Sequence, residues 1–464
     1  MSPGQQLTLA QAITCAKKAA EQGNIAVAQQ LYQAVLQHQR NHPIAIQGLR
    51  KLQKELPHHQ SVPAQTANPS QDQINALIDL HHSGQIAKVV QACQELLQSY
   101  PQSLIVLNVL GAALAGQDQL QQAVRVFDQI IQLQPDDAQA HSNRGNALQE
   151  LGQLEEAVAS YDQAIQIQPD YAQAYYNRGV ALTKLGQLEA AVDSYNRAIQ
   201  IQPDYAEAYY NRGKTLNDLG KLVEAVACFN KVLEISSDDM HDGARLQLAR
   251  LGEVKMPDRT PESYMKSFYH SKAKVWDQAT KAPYHGHQLV REAIDYVIEK
   301  EERLNILDLG CGTGSLADFL HSYASRLDGV DISPDMLERA AEREVYNNLV
   351  EEDLVQYLEE TSNSYGLMVA AAVLIHFADL ETVFSLVWDR LDEHGRFVFS
   401  LFQAAEEEVE LNSFDMFAHS DQYIQQLVDR VGFRLCYQKE GIHEYRGIHA
   451  VVGVVYLLEK NSGC

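Results

Sequence analysis

Small, apolar and aromatic positions recur along the first half of the chain at a fixed step. Leu120, Leu154, Leu188 and Leu222 lie 34 residues apart, and Ala123, Ala157, Ala191 and Ala225 keep the same interval. Phe127, Tyr161, Tyr195 and Phe229 share it, as do Gly111, Gly145, Gly179 and Gly213, and Pro101, Pro135, Pro169 and Pro203. Five residue classes in phase over several copies specify a repeated structural unit. Within one unit, residues 138–151 have helical periodicity and stop at Gly152, and 154–168 form a second helix closed by Pro169. The spacing predicts helical hairpins in which Gly145 and Ala157 stay small where the helices cross and Tyr161 fills the gap between neighbouring hairpins. Clear copies span 104–137, 138–171, 172–205 and 206–239. A weaker one spans 70–103, with Leu77 and Val89 in the glycine and alanine places, and a degenerate unit covers about 8–40, with Ala28 and Tyr32 in the key places. The expected organisation is a degenerate helical repeat over 1–55, a proline-marked linker over 56–71 and an array over 72–251. A second linker over 252–261, with Pro257 and Pro261, suits a hinge to the last part, 262–464.

The second half changes rhythm. An apolar strand at 305–309 runs into Asp308-Leu309-Gly310-Cys311-Gly312-Thr313-Gly314, then an amphipathic helix over 315–323, then a strand over 327–330 ending at Asp331. A glycine-rich turn between strand and helix, with an acid at the end of the next strand, is how doubly wound sheets hold a nucleoside. The glycines admit the ligand to the backbone, and the carboxylate takes both ribose hydroxyls through charge-assisted bonds. The dinucleotide fingerprint GxGxxG is not matched, because Ser315 follows GxGxG. Further strands follow at 365–373 and 395–401, then a helix at 421–430, and 433–438 with 450–458 as a closing antiparallel pair.

Two resemblances follow from these motifs. The 34-residue unit resembles the tetratricopeptide repeat family. The run D-x-G-x-G-x-G followed by Gly329-Val330-Asp331-Ile332-Ser333 resembles the class I S-adenosylmethionine-dependent methyltransferases over roughly 264–460. Together they imply an all-α tetratricopeptide superhelix followed by a Rossmann-like sheet of order 3-2-1-4-5-7-6. The second resemblance implies that Gly310, Cys311 and Gly312 meet the methionine part of S-adenosylmethionine, with Gly314 completing the turn and Asp308 close to the amino group. It implies Asp331 at the ribose, Ile332 on the adenine, and Asp353, followed by Leu354, at the adenine amino group. Ala371 and Ala372 would lie beside the cofactor; Met336 would face the adenine, a place that plain core filling explains equally well. Val275-Trp276-Asp277, the run from Gly329 to Leu337, and His419-Ser420 with Tyr423 are similar to type 11/12 methyltransferases and the methyltransferase-like protein 27 group. Gly366 and Ala372 stand where such proteins commonly carry acids, which removes a polar grip near the sulfonium but leaves adenosine binding intact.

Charge and composition narrow the partners. The net charge is −24, with 19 basic and 25 acidic residues over 1–255 (net −6) and 18 and 36 over 256–464 (net −18). This disfavours nucleic acid and anionic membrane surfaces, which call for clustered cations. None of the six cysteines forms a CxxC pair, the start of the chain does not read as a signal peptide, and the longest apolar runs, 369–377 and 450–458, are about half a membrane span. The expectation is a reduced, soluble, cytoplasmic protein. Asn143, Asn177 and Asn211 recur on the first helix of successive hairpins, with Tyr176 and Tyr210 beside them. They are either a tolerated solvated face or a row of amides for an extended peptide, similar to the asparagine ladder of the O-GlcNAc transferase family.

No catalytic constellation stands out. His376, just past the fourth strand, is the leading base, with His419 and Tyr423 behind it. His285 and His287 form an HxH without a third ligand in sequence, so no metal is expected. The acids Glu406, Glu407, Glu408 and Glu410 select a cationic acceptor or simply face solvent. The expected function is a methyltransferase, acceptor unknown, whose array recruits a protein partner or the substrate. The alternatives are a small-metabolite methyltransferase with a scaffolding array and a non-enzymatic cofactor-binding adaptor.

Overall fold

A computed structural model describes residues 9–21, 68–273, 285–299, 303–405, 407–412, 414–446 and 449–461, with scattered positions between 28 and 45. The expected linker up to residue 67, Val275-Trp276-Asp277 and Glu406 lie outside the described residues. Contacts divide the chain into two compact units, Met1–Pro135 and Asp136–Cys464. Among the described residues no helix is long and apolar enough to cross a membrane.

The first unit contains α1 (Leu9–Glu21), α2 (Gln71–His82), α3 (Ile86–Ser99), α4 (Leu104–Gly116) and α5 (Leu120–Leu133). Ala28 and Tyr32 are buried in one cluster with Ile13 and Ala16 of α1. Ser70 opens α2 with a capping box closed by Gln73, which satisfies two of the backbone N–H groups that a helix start leaves open.

The second unit begins with three hairpins: α6 (Ala138–Glu150) with α7 (Leu154–Ile167), α8 (Ala172–Lys184) with α9 (Leu188–Ile201), and α10 (Ala206–Asp218) with α11 (Leu222–Ile235). The glycine at the crossing has a narrower cause than expected. A Cβ on Gly145 would stand 2.6 Å from the ring of Tyr161, and one on Gly179 would stand 2.5 Å from that of Tyr195. The aromatic ring therefore lies on the glycine of its own hairpin, and two of the 34-residue classes are halves of one contact. A final helix, α12 (Asp239–Arg250), covers the last hairpin with Ala244 and Leu248.

After α13 (Glu262–Ala273) and α14 (Gly286–Val297) comes the sheet: β1 (Leu304–Leu309), β2 (Ala324–Asp331), β3 (Asn348–Glu351), β4 (Tyr365–Ala370), β5 (Leu391–Gln403), β6 (Val409–Leu411), β7 (Phe417–His419), β8 (Phe433–Arg446) and β9 (His449–Lys460). Strands β3-β2-β1-β4-β5 are parallel, and β9 then β8 close the sheet antiparallel, which gives the expected 3-2-1-4-5-7-6 order with β8 and β9 as the sixth and seventh strands. Alternate residues face opposite layers. Leu307, Phe397 and Phe399 pack under α18 (Glu381–Arg390) and α19 (Asp421–Val431), while Ile306 and Val398 pack under α14. The segment 403–418 contains the hairpin β6–β7, whose second strand pairs in parallel with the end of β5 at Phe402 and Gln403.

The expected hinge is not free. Ala378 N donates to Asp258 O at 2.8 Å, Thr260 N donates to His376 O at 2.8 Å, and Arg259 bridges Phe377 as a short antiparallel pair. Prolines at 257 and 261 mark the absence of a helix there, and the open backbone groups are satisfied by the loop after β4. Beyond it, Leu246 of α12 packs on Leu411 and Phe417 of the hairpin. Asp415, in the turn between β6 and β7, is 6% exposed and has φ +61°. Gln247 Nε2 donates to its Oδ1 at 2.5 Å and Tyr264 OH to its Oδ2 at 3.4 Å, with Lys214 and Arg250 each 3.8 Å away.

Replacing Asp415 with Ala should lower the stability of the chain by about 1–3 kcal/mol, since it leaves the Gln247 amide and two cations without their acceptor. Asp415→Asn keeps an acceptor and tolerates the left-handed backbone, so it should lose clearly less. Urea unfolding of the three proteins gives the order.

Candidate functional site

The turn after β1 is shaped by glycines in the left-handed region of the backbone map. Gly310 has φ +66°, and a Cβ there would meet Val373 at 2.5 Å. Gly312 has φ +54°, and a Cβ there would meet nothing within 4 Å, so the space above it is open. Gly312 N donates to Asp331 Oδ2 at 2.8 Å and Ser333 N to its Oδ1 at 2.9 Å, which ties the turn to the end of β2. Burial raises the Asp331 carboxyl above its ordinary value, and these backbone bonds partly restrain it.

The space belongs to a cavity walled by the glycine turn, the end of β2, the loop after β4 and α13. Of the residues expected from sequence, Gly310, Cys311, Gly312, Asp331, Ile332, Met336, Asp353, Leu354, Ala371 and His376 all line it. Asp308 and Gly314 are not on its wall. Asp308 is buried behind the turn, where Tyr346 OH donates to its Oδ2 at 2.7 Å, and burial pushes its carboxyl up to about 7. A Cβ on Gly314 would run into Arg343 at 2.9 Å. Asp353 caps α17 (Leu354–Glu360), with Oδ1 accepting from Val355 N at 3.0 Å, while Arg259 Nη1 donates to Oδ2 at 2.9 Å.

Met265, Tyr269, Phe402, Met416 and Glu444 also line the cavity and carry no motif that would have found them. Two of these sit on α13, which is anchored at both ends: Tyr264 reaches Asp415, and His270 Nδ1 lies 2.8 Å from Asp335 Oδ2. His376 is 5% exposed; its Nε2 lies 2.7 Å from Tyr269 OH and its Nδ1 3.4 Å from Thr260 Oγ1. Burial pushes this imidazole down to about 4, so it is neutral at pH 7.

The family described as a methyltransferase domain matches residues 306–395, and tetratricopeptide-repeat families match 126–159, 145–186, 180–220 and 206–239. The chain carries tetratricopeptide repeats and a methyltransferase domain. Among curated relatives, the malonyl-[acyl-carrier protein] O-methyltransferase of Acetivibrio thermocellus is 32% identical over 107 residues, 23% of this chain and 38% of its own length. The 18S rRNA (guanine-N(7))-methyltransferase of Bos taurus is 26% identical over 125 residues, 25% of this chain and 44% of its own. The ubiquinone biosynthesis O-methyltransferase of Vibrio atlanticus is 25% identical over 144 residues, 29% and 60% of the two chains. The chain thus spans 38–60% of the length of these three relatives. Among solved structures, MamA is 25% identical, covering 34% of this chain and 91% of its own with a TM-score of 0.33. Magnesium protoporphyrin IX methyltransferase from Synechocystis PCC 6803, solved with S-adenosylhomocysteine, is 16% identical, covering 43% and 99% with a TM-score of 0.34.

Other expected residues of the methyltransferase domain are placed elsewhere. His419 Nε2 lies 3.2 Å from Ala378 O, and Tyr423 OH accepts from Leu380 N at 3.0 Å; both brace the loop after β4 away from the cavity wall. His287 lines the cavity, and among the described residues no three His, Cys, Asp or Glu side chains gather as a metal site. Glu407 and Glu408 are exposed, and Glu410 accepts from Ala405 N at 2.8 Å within the β6 hairpin. In the tetratricopeptide array, Asn177 Nδ2 donates to Asn146 Oδ1 at 2.8 Å and Asn211 Nδ2 to Tyr176 OH at 2.9 Å, so each spends one amide hydrogen on the preceding hairpin. Asn143 accepts from Gln139 at 2.8 Å. Tyr176 packs on Tyr195 and Tyr205, and Tyr210 packs on Phe229.

Burial also pushes His419 down to about 4, from an ordinary value of 6.5. A base with a depressed folded value gives stability that is complete above about pH 6.5 and is lost as pH falls towards 4. Asp308, raised to about 7, works in the opposite direction over the same range. His419→Gln isolates the histidine contribution: the loss of unfolding free energy between pH 7 and pH 5 should be smaller by about 2 kcal/mol than in the parent chain. Urea titrations at the two pH values measure it.

Proposed function

We propose that this chain is an S-adenosylmethionine-dependent methyltransferase whose tetratricopeptide array recruits a protein partner. The observation that carries the cofactor reading is the open space over Gly312 beside a carboxylate held in the cavity wall. The backbone of Gly310, Cys311 and Gly312 would take the methionine part, Asp331 the ribose hydroxyls, and Ile332 and Met336 the adenine faces. Asp353 and Leu354 would lie at the adenine edge and Ala371 beside the sulfur, with Asp308 and Gly314 supporting the turn from behind. When bound, the cofactor supplies a methyl group activated by a sulfonium. The chain's own residues orient it, exclude water and leave the acceptor one approach, so alignment supplies much of the acceleration. His376 is the group on the wall suited to hold a proton. The three relatives are named for different acceptors, and none passes its acceptor to this chain. Buried free thiols at Cys93, Cys228 and Cys311 suit a reducing, cytoplasmic setting.

For the array, the second hydrogen of each amide at Asn143, Asn177 and Asn211 is the group offered to an extended peptide, with Tyr176 and Tyr210 as its aromatic neighbours. A second reading, a small-metabolite methyltransferase with a scaffolding array, is favoured by Gln247 and Lys214 of the last repeats being engaged with Asp415.

Calorimetry should detect S-adenosylhomocysteine binding that NAD does not compete with; no heat from a folded chain removes the cofactor reading. Asp331→Ala should weaken that binding about tenfold or more, on the order of 1.5–3 kcal/mol. For recruitment, Asn143→Ala/Asn177→Ala/Asn211→Ala should abolish radiolabelled methyl transfer into the protein fraction of a cell extract while cofactor affinity stays the same. Unchanged labelling by the triple variant puts the scaffolding reading first.

A further inference from the structure

The cavity has two ends of different chemistry. Towards the glycine turn its wall carries the carboxylates of Asp331 and Asp353. At the other end Met265 from α13, Ile375, Phe402 and Met416 form an apolar lining, and Ile375, Phe402 and Met416 belong to one buried cluster. Into this lining projects a coupled pair from opposite walls: Tyr269 from α13 and His376 from the loop after β4, bonded at 2.7 Å with their rings edge to face.

We propose that Tyr269 and His376 are the proton-accepting pair of the methyltransferase site, and that the acceptor is an apolar molecule without negative charge that presents a hydroxyl to Tyr269. The proposal rests on the S-adenosylmethionine reading above. Asp353 is paired with Arg259, and the carboxylates of Asp331 and Glu444 on the wall disfavour an anionic acceptor. The apolar end takes up a hydrocarbon or aromatic body, and a hydroxyl can donate to the oxygen of the half-buried Tyr269 phenol without introducing a charge.

The chemistry balances within named groups. The acceptor oxygen forms a bond to the methyl carbon as the bond from that carbon to the sulfonium breaks, and the electron pair stays on sulfur. The acceptor's proton passes to the phenol oxygen of Tyr269, whose own proton moves to Nε2 of His376. The positive charge leaves sulfur and arrives on the imidazole, whose Nδ1–H is aimed at Thr260 Oγ1, 3.4 Å away. A methylated oxygen still carrying its proton is a far stronger acid than an imidazolium, so even a weakly basic buried ring takes that proton. Tyr269 and Thr260 both come from the stretch between the repeats and the sheet, so the site is complete only when that stretch is in place.

The test uses the full chain saturated with S-adenosylhomocysteine and two probes of one shape, 2-naphthol and 2-methoxynaphthalene, which lacks the hydroxyl proton. Calorimetry should show 2-naphthol binding at least tenfold tighter, because the methoxy probe leaves the phenol pair without its partner. Tyr269→Phe should erase the preference and keep S-adenosylhomocysteine affinity within about twofold. With S-adenosylmethionine in place, His376→Gln should slow methylation of 2-naphthol by roughly 10²–10⁴-fold with little change in KM. Equal affinity for the two probes, binding of neither, or a preference that survives Tyr269→Phe overturns the proposal. The first two arms compare ligands on the unaltered chain, so they stand whether or not a variant folds. Failure of S-adenosylhomocysteine to bind the unaltered chain instead overturns the cofactor reading, and the two failures are told apart in the first titration.

Discussion

A carboxylate taken out of water needs partners, and Asp415 finds them in the repeat array and in α13: Gln247, Lys214 and Arg250 of the array and Tyr264 of α13 surround one side chain that sits in a tight left-handed turn. Unpaired, such a group costs several kcal/mol; paired, it fixes the hairpin β6–β7 against helix α12. Met416, the next residue, lines the cavity, and Tyr264 lies on the helix that contributes Met265 and Tyr269 to the same wall. The shape of the apolar end of the cavity is therefore set by where the last repeat stands. The array and the sheet are two folds by sequence and one packed body, from Asp136 onwards, by contact.

What was legible in the sequence was what depends on short spacing. A 34-residue period states the helical hairpins because each unit solves the same packing problem, a ring lying on a glycine. The glycine turn and the acids at the ends of β2 and β3 mark one end of the cavity, because backbone approach and carboxylate position are fixed within a few residues of one strand. Gly310, Asp331 and Asp353 could be placed on the cavity wall for that reason. The apolar end could not. Met265, Phe402 and Met416 come from a helix, a strand end and a hairpin turn far apart in the chain, and apolar residues at such places look like any core residue.

Pro257 and Pro261 report a local fact, that no helix passes through. Whether an open stretch is loose or bonded depends on what lies opposite, and here the loop of Phe377 and Ala378 supplies its partners. The hairpin β6–β7 was hidden by its own acids: Glu406 to Glu410 read as a solvated run, although Leu411 and Phe417 beyond them are buried against Leu246. Asp308 shows the limit of carrying a motif residue straight to a ligand. It occupies the expected place in the sequence, yet the ring of Tyr346 stands against it and its effect reaches the turn from behind.

The attachment of the array to the sheet uses residues from 210 onwards, while the Gly–aromatic contact that builds each hairpin closes within a single 34-residue unit. Whole units can thus be gained or lost upstream of residue 206 by unequal recombination without disturbing any residue that shapes the cavity. The number of repeats is free to rise or fall over generations, and related chains are expected to differ in total length by multiples of 34 while their last repeat keeps its contacts with the sheet.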